Sequence, residues 1–171
     1  LGARTINQTL IAALDTIKTN GDIQFIWQTG KIYIQQVKDA ITTATGEAIR
    51  NPRISAIPNL YVTDFIKDMA SAYAAADLVI SRAGAGSISE FCLLGKPVIL
   101  VPSPNVAEDH QTKNAMALVQ KDAALFVADA EAPRTLMPLA VNTVNDAAKL
   151  ASLSENVKKL AMPNAAEVIA R

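Results

Sequence analysis

Short, continuously apolar runs alternate along the chain with stretches patterned for helices, and this alternation restricts the fold more than any other feature. The runs lie at 23–28, 60–65, 78–81, 98–101 and 125–127. Each has strand length, and aromatic and β-branched side chains recur in them. Helical patterns fall at 7–19, with Leu10, Ile11, Leu14 and Ile17 on one face, and at 32–43, 67–75, 87–94 and 110–120. After Pro133 the chain reads helical almost to its end, with a break at Met162-Pro163-Asn164. Gly95, with Pro97 just beyond, is a stop signal for the helix before it. Runs that do not alternate with polar residues suggest strands covered on both faces. The expectation is an α/β fold with a Rossmann-like, doubly wound parallel sheet. A chain of 171 residues, 50% of them hydrophobic, suits one such domain with its own core. Ligands of these folds bind beyond the carboxyl ends of the strands, so the residues following each run are where function is sought.

Charge narrows the function classes. Lysine plus arginine equals aspartate plus glutamate at 16 each, which argues against a protein held to nucleic acid by general electrostatics. The single cysteine, Cys92, allows no internal disulfide and makes a cysteine-based metal site a poor expectation. No apolar stretch is long enough to span a membrane, and no signal peptide is visible. The chain opens at Leu1 inside what reads as a loop, and 166–171 reads as a helix cut short. The expectation is therefore a fragment, lacking its first strand.

After the run at 78–81 the sequence is Ser81-Arg82-Ala83-Gly84-Ala85-Gly86-Ser87-Ile88-Ser89-Glu90. Small residues leading from a strand into a helix make an anion site, because glycine permits positive φ and close approach, and the helix start offers unpaired N–H groups. A pyrophosphate is the expected guest. The competing reading is structural: Ser87 and Glu90 have capping-box spacing and the glycines make a tight turn. A nicotinamide fingerprint fits less well. Gly84, Gly86 and Ser89 occupy its three glycine positions, and Glu108 or Asp109, about 20 residues on, lies past a proline-rich turn.

After the run at 98–101, Pro102 and Pro104 stiffen a loop leading to Asp109-His110-Gln111-Thr112-Lys113-Asn114. Asp109 is placed to cap a helix beginning at His110, and His110 and Asn114 share a face of it. Grouped hydrogen-bonding side chains on the ligand side of the sheet suit sugar hydroxyls, or they simply face water. One histidine cannot make a metal site, and no triad partner stands nearby in sequence.

Taken together, these segments resemble the MurG family. Leu1-Gly2-Ala3-Arg4 and Asn7 are similar to the end of its G-G-S-x-G-A-R-x-x-N loop. Asp64-Phe65-Ile66-Lys67-Asp68-Met69 with Tyr73 and Ala76-Asp77 resembles its F-I-x-x-M and Y-x-x-A-D segments. Ser81-Arg82-Ala83-Gly84-Ala85 with Ser89-Glu90 resembles S-R-x-G-A-x-x-x-S-E, and Asp109-His110-Gln111 with Asn114-Ala115 its last donor loop. The four motifs occur in order along the whole chain.

The resemblance implies the C-terminal, donor-binding domain of a two-domain GT-B glycosyltransferase, across 1–171. It implies transfer of N-acetylglucosamine from UDP-N-acetylglucosamine to lipid I, giving lipid II for peptidoglycan. The resemblance further implies inversion at the anomeric centre, no cofactor or metal, and a peripheral seat on the cytoplasmic face of the bacterial inner membrane. The acceptor domain and the catalytic base are expected outside this chain, which by itself is expected to be inactive. Ile66 would meet uracil through its backbone. Ala85, Gly86 and Ser87 would cradle the pyrophosphate, with Ile88 and Ser89 in the same turn. Glu90 would accept from the ribose hydroxyls, and Gln111 would read the sugar. His110, Arg82, Met69 and Asn114 are secondary candidates. Arg82 is open to two readings, a phosphate partner or a strand-end structural residue. Gly86 and His110 depart from the family's usual bulky residue and glutamine. The alternatives are the donor half or separate subunit of another UDP-sugar glycosyltransferase, a UDP-sugar epimerase, or a nicotinamide oxidoreductase.

Overall fold

A computed structural model of the chain describes residues 3–49, 56–105 and 109–161. Leu1 and Gly2, Glu108, the break at Met162-Pro163-Asn164 and the helix expected at 166–171 lie outside the described residues. The chain divides into two compact units. The first is Leu1–Ala75 with Ala132–Met137, and the second is Ala76–Glu131 with Pro138–Arg171.

In the first unit, helices α1 (Arg4–Ala12) and α2 (Leu14–Thr19) precede strand β1 (Phe25–Gln28). Helix α3 (Ile34–Thr45), strand β2 (Leu60–Thr63) and helix α4 (Met69–Ala75) follow. The helix expected over 7–19 is thus two helices, parted at Ala13, whose φ of −104° and ψ of 16° interrupt the ladder. Strands β1 and β2 pair in parallel, Phe25 opposite Leu60 and Gln28 opposite Thr63. Trp27, Leu60 and Val62 enter a core with Leu10, Leu14, Ile17, Val37 and Ile41. The expected cover on both faces fails here, since Ile26 is 46% and Tyr61 36% exposed. The short strands alternate in and out like a half-solvated sheet.

Polar side chains stitch this unit through partners that no local pattern in the sequence announces. Asn7 is buried between α1 and β1; its amide donates to the Thr29 carbonyl at 3.0 Å and accepts from the Trp27 indole N–H at 2.8 Å. The buried Asn59 amide nitrogen lies within 3.1 Å of the carbonyls of Ile17, Asn20 and Ile23, tying the end of α2 to the start of β2.

The second unit holds strand β3 (Val79–Ser81), helix α5 (Ala85–Leu94), strand β4 (Val98–Leu100), helix α6 (His110–Val119) and strand β5 (Leu125–Phe126). A turn of 3-10 helix at Asp129–Glu131 leads to helix α7 (Ala132–Val144), which carries Pro138 within it, and helix α8 (Ala147–Lys158) follows. The parallel sheet runs β3-β4-β5. Its centre, Val98, Ile99 and Leu100, is fully buried, as a strand covered on both faces requires. The buried strand expected at 78–81 is instead the half-buried edge. The long helical stretch after Pro133 breaks at Asn145–Asp146, where the Asp146 carboxylate caps α8 by accepting the Lys149 N–H at 3.0 Å.

Helix α5 ends where its stop signal lies. Gly95 adopts a left-handed φ of 65°, and the N–H groups of Gly95 and Lys96 turn back to the carbonyls of Cys92 and Phe91. The Ser154 hydroxyl of α8 donates to the Gly95 carbonyl at 2.7 Å and anchors this cap.

Candidate functional site

Parallel strands β3 and β4 deliver their following loops to one end of the three-stranded sheet. The Val101 N–H donates to the Ser81 carbonyl at 2.9 Å, so the two loops part from a common point. The first leads into α5 and the second into α6.

Helix α5 begins at Ala85, with Gly84 as its N-cap in extended conformation, φ −67° and ψ 143°. The capping-box expectation is therefore corrected: Ser87 and Glu90 stand inside the helix, and neither side chain caps it. An N-cap needs extended backbone, and Gly84 takes that role three residues before Ser87. Glycine has no side-chain oxygen to satisfy the first turn. The ladder starts with the Ile88 N–H to the Gly84 carbonyl at 3.0 Å. The N–H groups of Ala85, Gly86 and Ser87 consequently have no partner among the described residues.

The glycines are not used for positive φ, which occurs only at Gly30, Gly46 and Gly95 among the described glycines. What Gly84 and Gly86 supply is space: a Cβ at either would meet nothing within 4 Å. Glu90 follows Gly86 by four residues, one turn along the same face and about 6 Å up the axis. Its exposed carboxylate has no hydrogen bond or ion pair among the described residues, so its acceptor oxygens are available. The exposed Ser89 hydroxyl donates back along its own helix to the Ala85 carbonyl at 3.1 Å, and Ile88 is half-buried.

Arg82 makes the contacts that its structural reading calls for. Its Nη1 donates to the carbonyls of Val101 at 3.1 Å and Pro102 at 3.2 Å, and pairs with the Asp129 carboxylate. One guanidinium nitrogen thus ties β3 to the end of β4 and to the turn after β5.

Gln111 lies in the first turn of α6. Its Oε1 accepts the N–H groups of Ser103 at 3.0 Å and of Ala83 at 3.3 Å. Asn114, one turn on, donates from Nδ2 to the Ala83 carbonyl at 3.3 Å. His110 is exposed, without a partner among the described residues. Asp109 occupies the N-cap position of α6, but with a helical backbone and no cap bond from its side chain, so the expected cap is absent.

Ile66 and Met69 belong to the first unit. The Ile66 N–H, expected to meet a base, donates to Gln28 Oε1 at 2.9 Å, so a base can use it only by displacing that amide. Met69 opens α4 and is half-buried. Asp68, just before it, holds the helix start through the Ser71 N–H at 3.1 Å and the Ser71 hydroxyl at 2.6 Å. These bonds draw the Asp68 carboxyl below its ordinary range. Burial raises the Cys92 thiol above its own. Among the described residues no three of His, Cys, Asp and Glu are grouped to hold a metal, and no helix is long and apolar enough to cross a membrane.

Sequence reasoning found Gln111 and Asn114 by their place at a helix start. It did not find their grip on Ala83, which joins residues 28 and 31 positions apart. No local pattern announces such a bond.

The chain is 68% identical over all its length to 43% of the UDP-N-acetylglucosamine–N-acetylmuramyl-(pentapeptide) pyrophosphoryl-undecaprenol N-acetylglucosamine transferase of Bacteroides thetaiotaomicron. It is 62% identical to the like-named protein of Phocaeicola vulgatus, again across the whole chain and 43% of the relative. The chain thus spans about two fifths of the length of these curated relatives. The crystal structure of Acinetobacter baumannii MurG superposes with a TM-score of 0.75 at 28% identity, covering 99% of this chain and 45% of that one. The model of the glycosyltransferase family 28 C-terminal domain matches residues 1–169, and the chain belongs to that family.

Proposed function

We propose that this chain is the donor-binding part of an inverting N-acetylglucosaminyltransferase. The donor is UDP-N-acetylglucosamine and the acceptor is lipid I. The product is lipid II, made for peptidoglycan at the cytoplasmic face of the membrane. The names of the full-length relatives and the fold shared with MurG support the reaction.

The observation that carries the assignment is the uncapped start of α5. The N–H groups of Ala85, Gly86 and Ser87 have no partner among the described residues, and they lie at the positive end of the helix dipole. A diphosphate supplies the missing acceptors, and as the leaving group it gains negative charge that the same N–H groups stabilise without reorganising. Glu90, one turn on, offers two oxygens to a vicinal diol, the pattern of a ribose. Its charge opposes a diphosphate, so affinity must come from the N–H groups. Gln111 meets the sugar through its amide hydrogens.

Isothermal titration calorimetry with UDP-N-acetylglucosamine, UDP and a guanosine diphosphate control tests the reading. Binding of the uridine ligands, weakened in Glu90→Ala, is expected. Absence of heat at millimolar UDP, or an affinity indifferent to Glu90, would sink it.

A further inference from the structure

We infer that Gln111 and Asn114 are positioning residues for the diphosphate, acting through the peptide groups of Ala83. The inference rests on the diphosphate reading of the α5 start, and assigns to these two side chains a task distinct from reading a sugar.

Ala83 is fully buried and lies two residues before Ala85, whose N–H is the first of α5 without a partner among the described residues. Its N–H is taken by Gln111 Oε1 and its carbonyl by Asn114 Nδ2, each at 3.3 Å. Both polar groups of one residue are therefore held by a single helix, one turn apart. The same Oε1 also takes the Ser103 N–H, at the shorter distance of 3.0 Å. Gln111 thus joins the loop after β3 to the loop after β4, while Asn114 fixes the rotation of the peptide that enters α5.

The chemistry leaves little freedom in these amides. Both neighbours of the Gln111 oxygen are N–H donors, so the atom facing them must be the oxygen. Its two lone pairs are spent, and only its Nε2 hydrogens remain for a ligand. The neighbour of Asn114 is a carbonyl, so nitrogen must face it. Gly84 and Gly86, unhindered and without side chains to pack, cannot fix the first turn by themselves. The clamp on Ala83 supplies that restraint from outside the helix, holding the three N–H groups aimed before the ligand arrives.

The test is a ladder of three ligands, uridine, UDP and UDP-N-acetylglucosamine, on the full chain and on Asn114→Ala and Gln111→Ala. Thermal midpoints and exchange of the Ala83 amide hydrogen are recorded alongside. The expected result is unchanged uridine affinity and a gain from uridine to UDP reduced about three- to tenfold in both variants, the worth of one hydrogen bond. Asn114→Ala is expected to keep the further gain from UDP to UDP-N-acetylglucosamine. Gln111→Ala is expected to speed exchange at Ala83. If only the last step of the ladder falls, the side chains are sugar readers and the inference is overturned. If all three affinities fall together with the thermal midpoint, the role is generic stability and it is equally overturned. Failure of the unaltered chain to bind UDP would remove the diphosphate reading itself, and this inference with it.

Discussion

Replacing Asn7 by alanine tests whether the first unit is held by the polar bridge between α1 and β1. The Asn7 side chain carries two bonds, to the Thr29 carbonyl at 3.0 Å and from the Trp27 indole at 2.8 Å, and all three residues are at most 4% exposed. Alanine removes both partners at once and leaves an indole N–H and a carbonyl in the interior. Each unsatisfied group costs about 1–3 kcal/mol, partly relieved where water can enter. The expected loss is about 3 kcal/mol, or about 6–12 °C in the thermal midpoint of a domain of this size. Trp27 is the single tryptophan of the chain, so its fluorescence in a urea titration reads this unit directly. Far-UV circular dichroism on the same samples checks that one transition is being followed.

Asn7→Asp supplies an internal control. Its oxygen still accepts from Trp27, but only the protonated acid donates to Thr29. Burial raises the folded-state pKa of such an acid above its unfolded value. The folded state then binds more protons between the two values, so stability is present below the unfolded pKa and lost as pH rises through the folded one. A variant Asn7→Ala within about 0.5 kcal/mol of the parent chain would refute the reasoning.

Other consequences are checked as simply. Arg82→Met should cost about 2–4 kcal/mol in urea denaturation, because it removes two carbonyl contacts and leaves Asp129 without the guanidinium. Unchanged stability with lost UDP affinity would instead place the guanidinium on the ligand. Ser71→Ala should move the Asp68 carboxyl up toward the ordinary carboxylate range, with the N–H of residue 71 keeping part of the lowering, followed by NMR titration. The cap it makes contributes above the unfolded pKa and is lost as pH falls through the lowered folded one. Gly95→Ala should cost about 1–2 kcal/mol, since φ is 65° and a Cβ would sit 2.3 Å from Lys158 Cε. The lysine can swing aside, so the backbone strain is what a melting curve should report.

The parallel pairing and the position of both loops were legible because fully apolar runs such as 98–101 need cover on both faces, and short strands joined by helices pair in parallel. The end of α5 was legible because Gly95 and Pro97 act locally. Its start was not: the spacing of Ser87 and Glu90 imitates a capping box, while Gly84, lacking a side-chain cap, sets the true boundary. The break at Ala13 carries no signal, since alanine is the best helix former. The roles of Asn7, Asn59 and Arg82 depend on partners 19 to 47 residues away, beyond the reach of any local pattern.

The central claim is that the first turn of α5 receives a diphosphate. An amide NMR titration with UDP measures it directly. The account predicts that the N–H resonances of Ala85, Gly86 and Ser87 shift furthest downfield and saturate together, as unpaired donors acquiring phosphate oxygens do. Saturable binding that leaves those three resonances unmoved would contradict it.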